Sequence, residues 1–106
     1  MEDRIVVHVD SEILELIPGF MENRRKEIGR LRADLAERRF EAVRVVGHTL
    51  AGAGSSYGFD DITRIGRELE RTASAAASGA DADVPQLQRL TDELEYYLQH
   101  VELSYT

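Results

Sequence analysis

At 106 residues with 42% hydrophobic content, the chain suits one domain, spanning residues 1–106, with a modest core. Cysteine is absent, which excludes disulfides, thiolate catalysis and cysteine-based metal sites. A net charge of −7 opposes a phosphate backbone and argues against general nucleic-acid binding.

The first ten residues, MEDRIVVHVD, place charges where a secretory signal needs an apolar run. No apolar stretch approaches the length that spans a bilayer. The expectation is a soluble, cytoplasmic chain without membrane insertion. Ile5-Val6-Val7 is the only hint of strand, too short to predict a sheet. Asp10 or Ser11 can cap a short helix carrying Ile13, Leu14, Leu16 and Ile17. Pro18 then suits the first turn of a longer helix. Phe20, Met21, Ile28, Leu31 and Leu35 recur along it mostly at intervals of three, four or seven, to about Arg38. Phe40 sits in the joint, and a further helix runs from about Glu41 to Tyr57. Gly58 fits its C-terminus, and Asp60 or Asp61 the first turn of the next. That helix repeats Ile62, Ile65, Leu69, Ala73 and Ala76. Ser78 to Pro85 reads as a loop, and Pro85 starts a last helix with Leu87, Leu90, Leu94, Tyr97, Leu98 and Val101. The pattern predicts an all-α, antiparallel four-helix bundle with a short additional N-terminal helix.

Charge is uneven along the chain. Residues 22–44 carry eight Lys/Arg against five Asp/Glu, whereas residues 1–21 sum to −4 and residues 81–106 to −5. A weakly basic helix on an acidic body can receive an acidic partner; a solvated face of mixed charges is the simpler explanation.

The stretch GHTLAGAGSSYG, Gly47 to Gly58, puts one histidine among very small residues. On a helix advancing about 100° per residue, Glu41, Arg44, Ala51, Gly52 and Ser55 fall within about 60° of His48. Val43, Val46, Leu50, Ala53 and Tyr57 fall within about 40° of the opposite direction. The apolar stripe therefore faces the core and His48 faces solvent, with Ala51 and Gly52 nearly bare beside it. Each glycine inside a helix loses roughly 1 kcal/mol relative to alanine. Gly47 and Gly54, about 100–120° from His48, fit the close approach of another helix, and Gly52 fits access to the histidine.

His48-Thr49-Leu50-Ala51-Gly52, followed by Gly58, Ile62 and Leu69-Glu70, resembles the signature of histidine phosphotransfer (HPt) domains. That signature reads His-x-Leu-Lys-Gly, a glycine six residues on, and a helix ending near Leu-Glu. The resemblance covers most of the chain and implies a four-helix bundle with the histidine exposed on one helix. It implies that His48 is the phosphoryl acceptor, Gly52 the close-approach glycine and Gly58 the turn glycine. The family's lysine three residues after the histidine is Ala51 here, and Arg44, one turn before His48, is a candidate replacement cation.

The resemblance also implies partners: a receiver domain, whose phospho-aspartate, Mg²⁺ and lysine complete the site, and a histidine kinase. The chain itself would bind no cofactor and no metal, and would not be an enzyme in its own right. No glycine-rich nucleotide loop or kinase motif set occurs in it. Free histidine titrates near pH 6.5, so a neutral imidazole is available near pH 7 to attack an activated phosphorus. His8 and His100 read as surface or structural residues, too far apart in sequence to form an obvious metal site with His48. Glu68 and Glu70 offer no pairing with His48 that the pattern supports, so no general-base constellation is expected. Two readings stay open: a phosphorelay carrier, or a helical docking module for a receiver or other signalling protein with His48 unused.

Overall fold

In the computed structural model, which describes residues 4–106, four amphipathic helices carry most of the chain. They are α1 (Ile17–Ala36), α2 (Phe40–Tyr57), α3 (Asp60–Ala77) and α4 (Val84–His100). Each helix turns one apolar stripe inward. On α3, Ile62, Ile65, Leu69 and Ala73 are all fully buried, the spacing of one face of a 3.6-residue helix. They pack with Leu31 of α1, Val43 and Leu50 of α2, and Leu87 and Leu94 of α4 in one core. No helix among the described residues is long and apolar enough to cross a membrane.

Local chemistry sets the helix ends. Gly58 closes α2 in the left-handed conformation (φ 81°), which a side chain would resist. Asp60 and Asp61 then place carboxylates in the first turn of α3, where the helix dipole favours them. The Asp83 carboxylate caps α4 by accepting from the Gln86 backbone N–H at 3.1 Å. Pro85 lies in the first turn of α4, and Pro18 in that of α1.

The expected short N-terminal helix is present, in a tighter form than an α-helix. Ser11–Leu16 is a 3₁₀ segment, capped by Asp10, that runs straight into α1. Leu14 and Leu16 are exposed, and only Ile17 of the four apolar residues is buried.

The four helices form as expected, but a short strand pair that the sequence expectation did not include joins them. Ile5–Val9 forms β1 and Val101–Tyr105 forms β2, paired in parallel from Ile5 with Val101 to Val9 with Tyr105. The last helix accordingly stops at His100, and Val101 turns to extended backbone (φ −65°, ψ 132°) instead of extending the helical stripe. The cause is long-range. Each five-residue strand is too short to signal itself, but the fold brings both ends of the chain side by side. Val9 is fully buried, and Ile5, Val7, Val101 and Leu103 pack against the helical core. Arg4 and Glu102 pair across the ribbon at 2.7 Å, and the Thr106 backbone N–H donates to the Val9 carbonyl at 3.1 Å.

Candidate functional site

The α2–α3 contact is backbone against backbone. A Cβ added at Gly47 would lie 2.8 Å from the Gly66 carbonyl oxygen and 2.6 Å from the Glu70 nitrogen. One added at Gly66 would lie 2.5 Å from the Ala51 nitrogen, and one at Gly54 2.6 Å from the Thr63 nitrogen. Positions 47, 51 and 54 thus meet 70, 66 and 63 in turn, so these two helices run in opposite directions about the Gly58 turn. The glycines at 47 and 54 do what the sequence suggested. They admit the neighbouring helix.

On the outer flank of this contact stands His48, its side chain 75% exposed. Its Nδ1 lies 2.9 Å from Oε2 of Glu70, one helix away. This pairing corrects the sequence expectation that neither Glu68 nor Glu70 pairs with His48. A helical wheel of α2 alone cannot show it, because the partner comes from α3. The signal was present in the glycines: with Gly58 as the turn and Gly47 and Gly66 as close-contact points, position 48 falls opposite position 70.

The bond has a chemical consequence. A carboxylate only accepts hydrogen bonds, so in this contact Nδ1 is the donor and carries a proton. In the neutral tautomer that this contact favours, Nε2 carries the lone pair, on a side chain that is mostly exposed.

Around the histidine the ground is open. Nothing lies within 4 Å of a Cβ added at Gly52, which is exposed. Ala51 is half-buried beside α3, and its carbonyl accepts from the Thr63 hydroxyl at 3.3 Å. The Thr63 hydroxyl also lies 3.3 Å from that of Ser55. Arg44 is one turn before His48 and is already engaged. Its guanidinium holds the Glu41 carboxylate at 2.6 to 3.0 Å and reaches Glu70 only at 4.0 Å. That grip holds the Glu41 carboxyl below its usual range, mainly through the hydrogen bond from Arg44. Gly58 lies at the end of α2, about 15 Å along the axis from His48, and shapes the turn instead of touching the site.

The remaining histidines are elsewhere. His8 is exposed on β1, and His100 stacks on Tyr96 at the end of α4 with its Nδ1 2.8 Å from the Tyr96 carbonyl. No group of three potential metal ligands is present among the described residues.

The domain is mostly helical, and it presents an exposed imidazole held by a carboxylate from the adjoining helix. The Hpt domain family model matches residues 15–100, and the chain belongs to that family, the histidine phosphotransfer domains of two-component phosphorelays. No curated protein and no solved structure gives a significant match.

Proposed function

We propose that this chain is a phosphorelay carrier in which His48 accepts a phosphoryl group from a receiver aspartate, or from a histidine kinase, and passes it on. The observation that carries the reading is the 2.9 Å contact between His48 Nδ1 and Glu70 on an otherwise open surface. Nε2 attacks the phosphorus of an aspartyl phosphate, the N–P bond forms, the acyl O–P bond breaks, and the aspartate carboxylate leaves. Both ring nitrogens are then substituted, one by phosphorus and one by hydrogen, so the ring bears positive charge. Glu70 stabilises that charge through the same hydrogen bond.

Phosphoryl transfer has a loose transition state, so positioning and charge stabilisation do most of the work. The chain provides the nucleophile. The partner receiver provides the Mg²⁺ and lysine that neutralise the phosphoryl oxygens, and this chain holds no cofactor or nucleotide of its own. Gly52 leaves room for the receiver's loops, and Gly58 sets the α2–α3 turn. The four helices form the antiparallel bundle of the family as a single domain over residues 1–106, in the cytoplasm, where receivers and kinase domains reside.

The test is phosphorylation by a phospho-receiver followed by mass spectrometry at alkaline pH. His48→Gln should abolish the label, and His8→Gln and His100→Gln should keep it. Retained label in the His48 variant sinks the assignment. Stable binding of receivers by wild-type protein that never acquires label establishes a docking module instead.

Glu70 gives a graded prediction. A hydrogen bond to a charged group contributes roughly 1.5–3 kcal/mol when sheltered. The Glu70 side chain is 31% exposed, which places its contribution at the low end, about tenfold in rate. Glu70→Ala should slow labelling of His48 by about that factor, with Glu70→Gln intermediate because its amide oxygen still accepts. A transfer rate unchanged in Glu70→Ala would show that the bond is incidental.

A further inference from the structure

Position 51, one turn on from His48, is Ala51, so any cation that this chain itself brings to the phosphoryl group comes from another residue. Arg44, the candidate on α2, is already committed to Glu41 through three contacts of 3.0 Å or less. On α3, Arg64 reaches away to Glu93 and Asp61. Arg67 and Arg71 remain, both exposed and neither in an ion pair among the described residues.

Geometry separates these two. Gly66 crosses α2 between Gly47 and Ala51, so Arg67 leaves α3 immediately beside that crossing. Three residues before Glu70, it lies about 4.5 Å along the axis and about 60° around from the carboxylate that holds His48. It lies about 40° from Thr63, whose hydroxyl touches the Ala51 carbonyl and Ser55. Because α2 and α3 run in opposite directions, the step from Glu70 back to Arg67 follows the step from His48 forward to Ala51 and Gly52. Arg67 therefore stands opposite the vacancy at position 51. Arg71 lies about 100° around from Glu70, turned further from α2.

We propose that Arg67 supplies across the helix pair the cation that position 51 lacks, its guanidinium donating to the phosphoryl oxygens on His48. A planar fork of donors suits a phosphoryl group, and the long stem spans the gap that backbone contact between the helices keeps short. Glu70 and Arg67 then divide the work. The carboxylate steadies the ring, and the guanidinium steadies the phosphate.

This inference rests on His48 as the acceptor, and the test separates the two. Phosphoramidate serves as the donor, so no receiver contributes cations: Nε2 of His48 takes the phosphoryl group, the donor's P–N bond breaks, and ammonia leaves. The variants are Arg67→Gln, Arg67→Lys, Arg71→Gln and the double variant Arg67→Gln/Ala51→Lys, each checked for fold by circular dichroism. The expected result is labelling slowed about five- to tenfold in Arg67→Gln, less than threefold in Arg67→Lys, and less than twofold in Arg71→Gln. Restoring a lysine at position 51 should recover most of the loss, a rescue that a merely structural role for Arg67 would not give. If wild type is labelled at His48 and Arg67→Gln matches it, or if the loss resists rescue by the lysine, Arg67 is a surface residue and the acceptor stands. If wild type takes no label at His48, acceptor and cation fall together.

Discussion

Replacing Glu27 by alanine should lower the stability of the protein by about 3–5 kcal/mol, the range found when one partner of a buried ion pair is removed. Glu27 and Arg24 lie one turn apart on α1 and are only 4% and 7% exposed. Arg24 Nε donates to Glu27 Oε1 at 2.5 Å, and Nη2 to Oε2 at 3.2 Å. The guanidinium also sits 4.7 Å from the centre of the Phe20 ring, which packs in turn on Tyr57 and Phe59 at 4.4 and 4.9 Å. Without Glu27 the guanidinium is left in an apolar setting with no counter-charge. Domains of this size have about 5–15 kcal/mol in total, so the loss is a large fraction. The pair itself need not be stabilising, because taking two charges out of water offsets much of their attraction. The double variant Arg24→Leu/Glu27→Leu should therefore regain most of the loss. Urea denaturation of wild type, single and double variants decides the matter. A Glu27→Ala protein within 1 kcal/mol of wild type would show that Arg24 finds water or another acceptor.

That ion pair also shows where the sequence stopped being readable. The stripe of Phe20, Met21, Ile28, Leu31 and Leu35 was legible from its period, and all five are buried. Arg24 and Glu27 occupy the same face one and two turns on from Phe20, but composition places charged residues on the solvated side. Nothing in a one-helix pattern says that they neutralise each other. The β1–β2 ribbon escaped for a related reason. A strand of five residues acquires meaning only from its partner, and Ile5 and Val101 lie at opposite ends of the chain. On α2 the wheel placed His48 outward and Gly47 on the flank because helical geometry is local. Glu70 and Arg67 belong to the site only through the register of two helices, which the glycines encode indirectly. The pattern carried the helices, the Gly58 turn and the exposed histidine. It left out what the tertiary contact adds to that histidine.

Gly66→Ala should disturb both the fold and the site. The new Cβ would lie 2.5 Å from the Ala51 nitrogen, 2.7 Å from the Gly47 carbonyl oxygen and 2.9 Å from the Leu50 Cβ. The first two are backbone atoms of a helix and have no rotamer in which to retreat. α3 must therefore move away from α2, and overpacking of this kind costs typically 1–3 kcal/mol. The better helix propensity of alanine returns about 1 kcal/mol, too little to cancel the overlap. A shift of α3 also carries Glu70 away from His48, whose 2.9 Å bond has little slack. Gly52→Ala is the matched control, since its Cβ enters open space. That variant gains propensity with no overlap and should be neutral or more stable by up to about 1 kcal/mol. The same chemical change on two faces of one helix pair is thus expected to act with opposite sign. Thermal melts measure the first effect, and labelling of His48 by phosphoramidate measures the second. In Gly66→Ala, labelling should fall toward the level of Glu70→Ala, because both variants release the ring. A Gly66→Ala protein as stable as wild type would mean that the two helices can part without penalty. The close contact would then not be what holds Glu70 against His48.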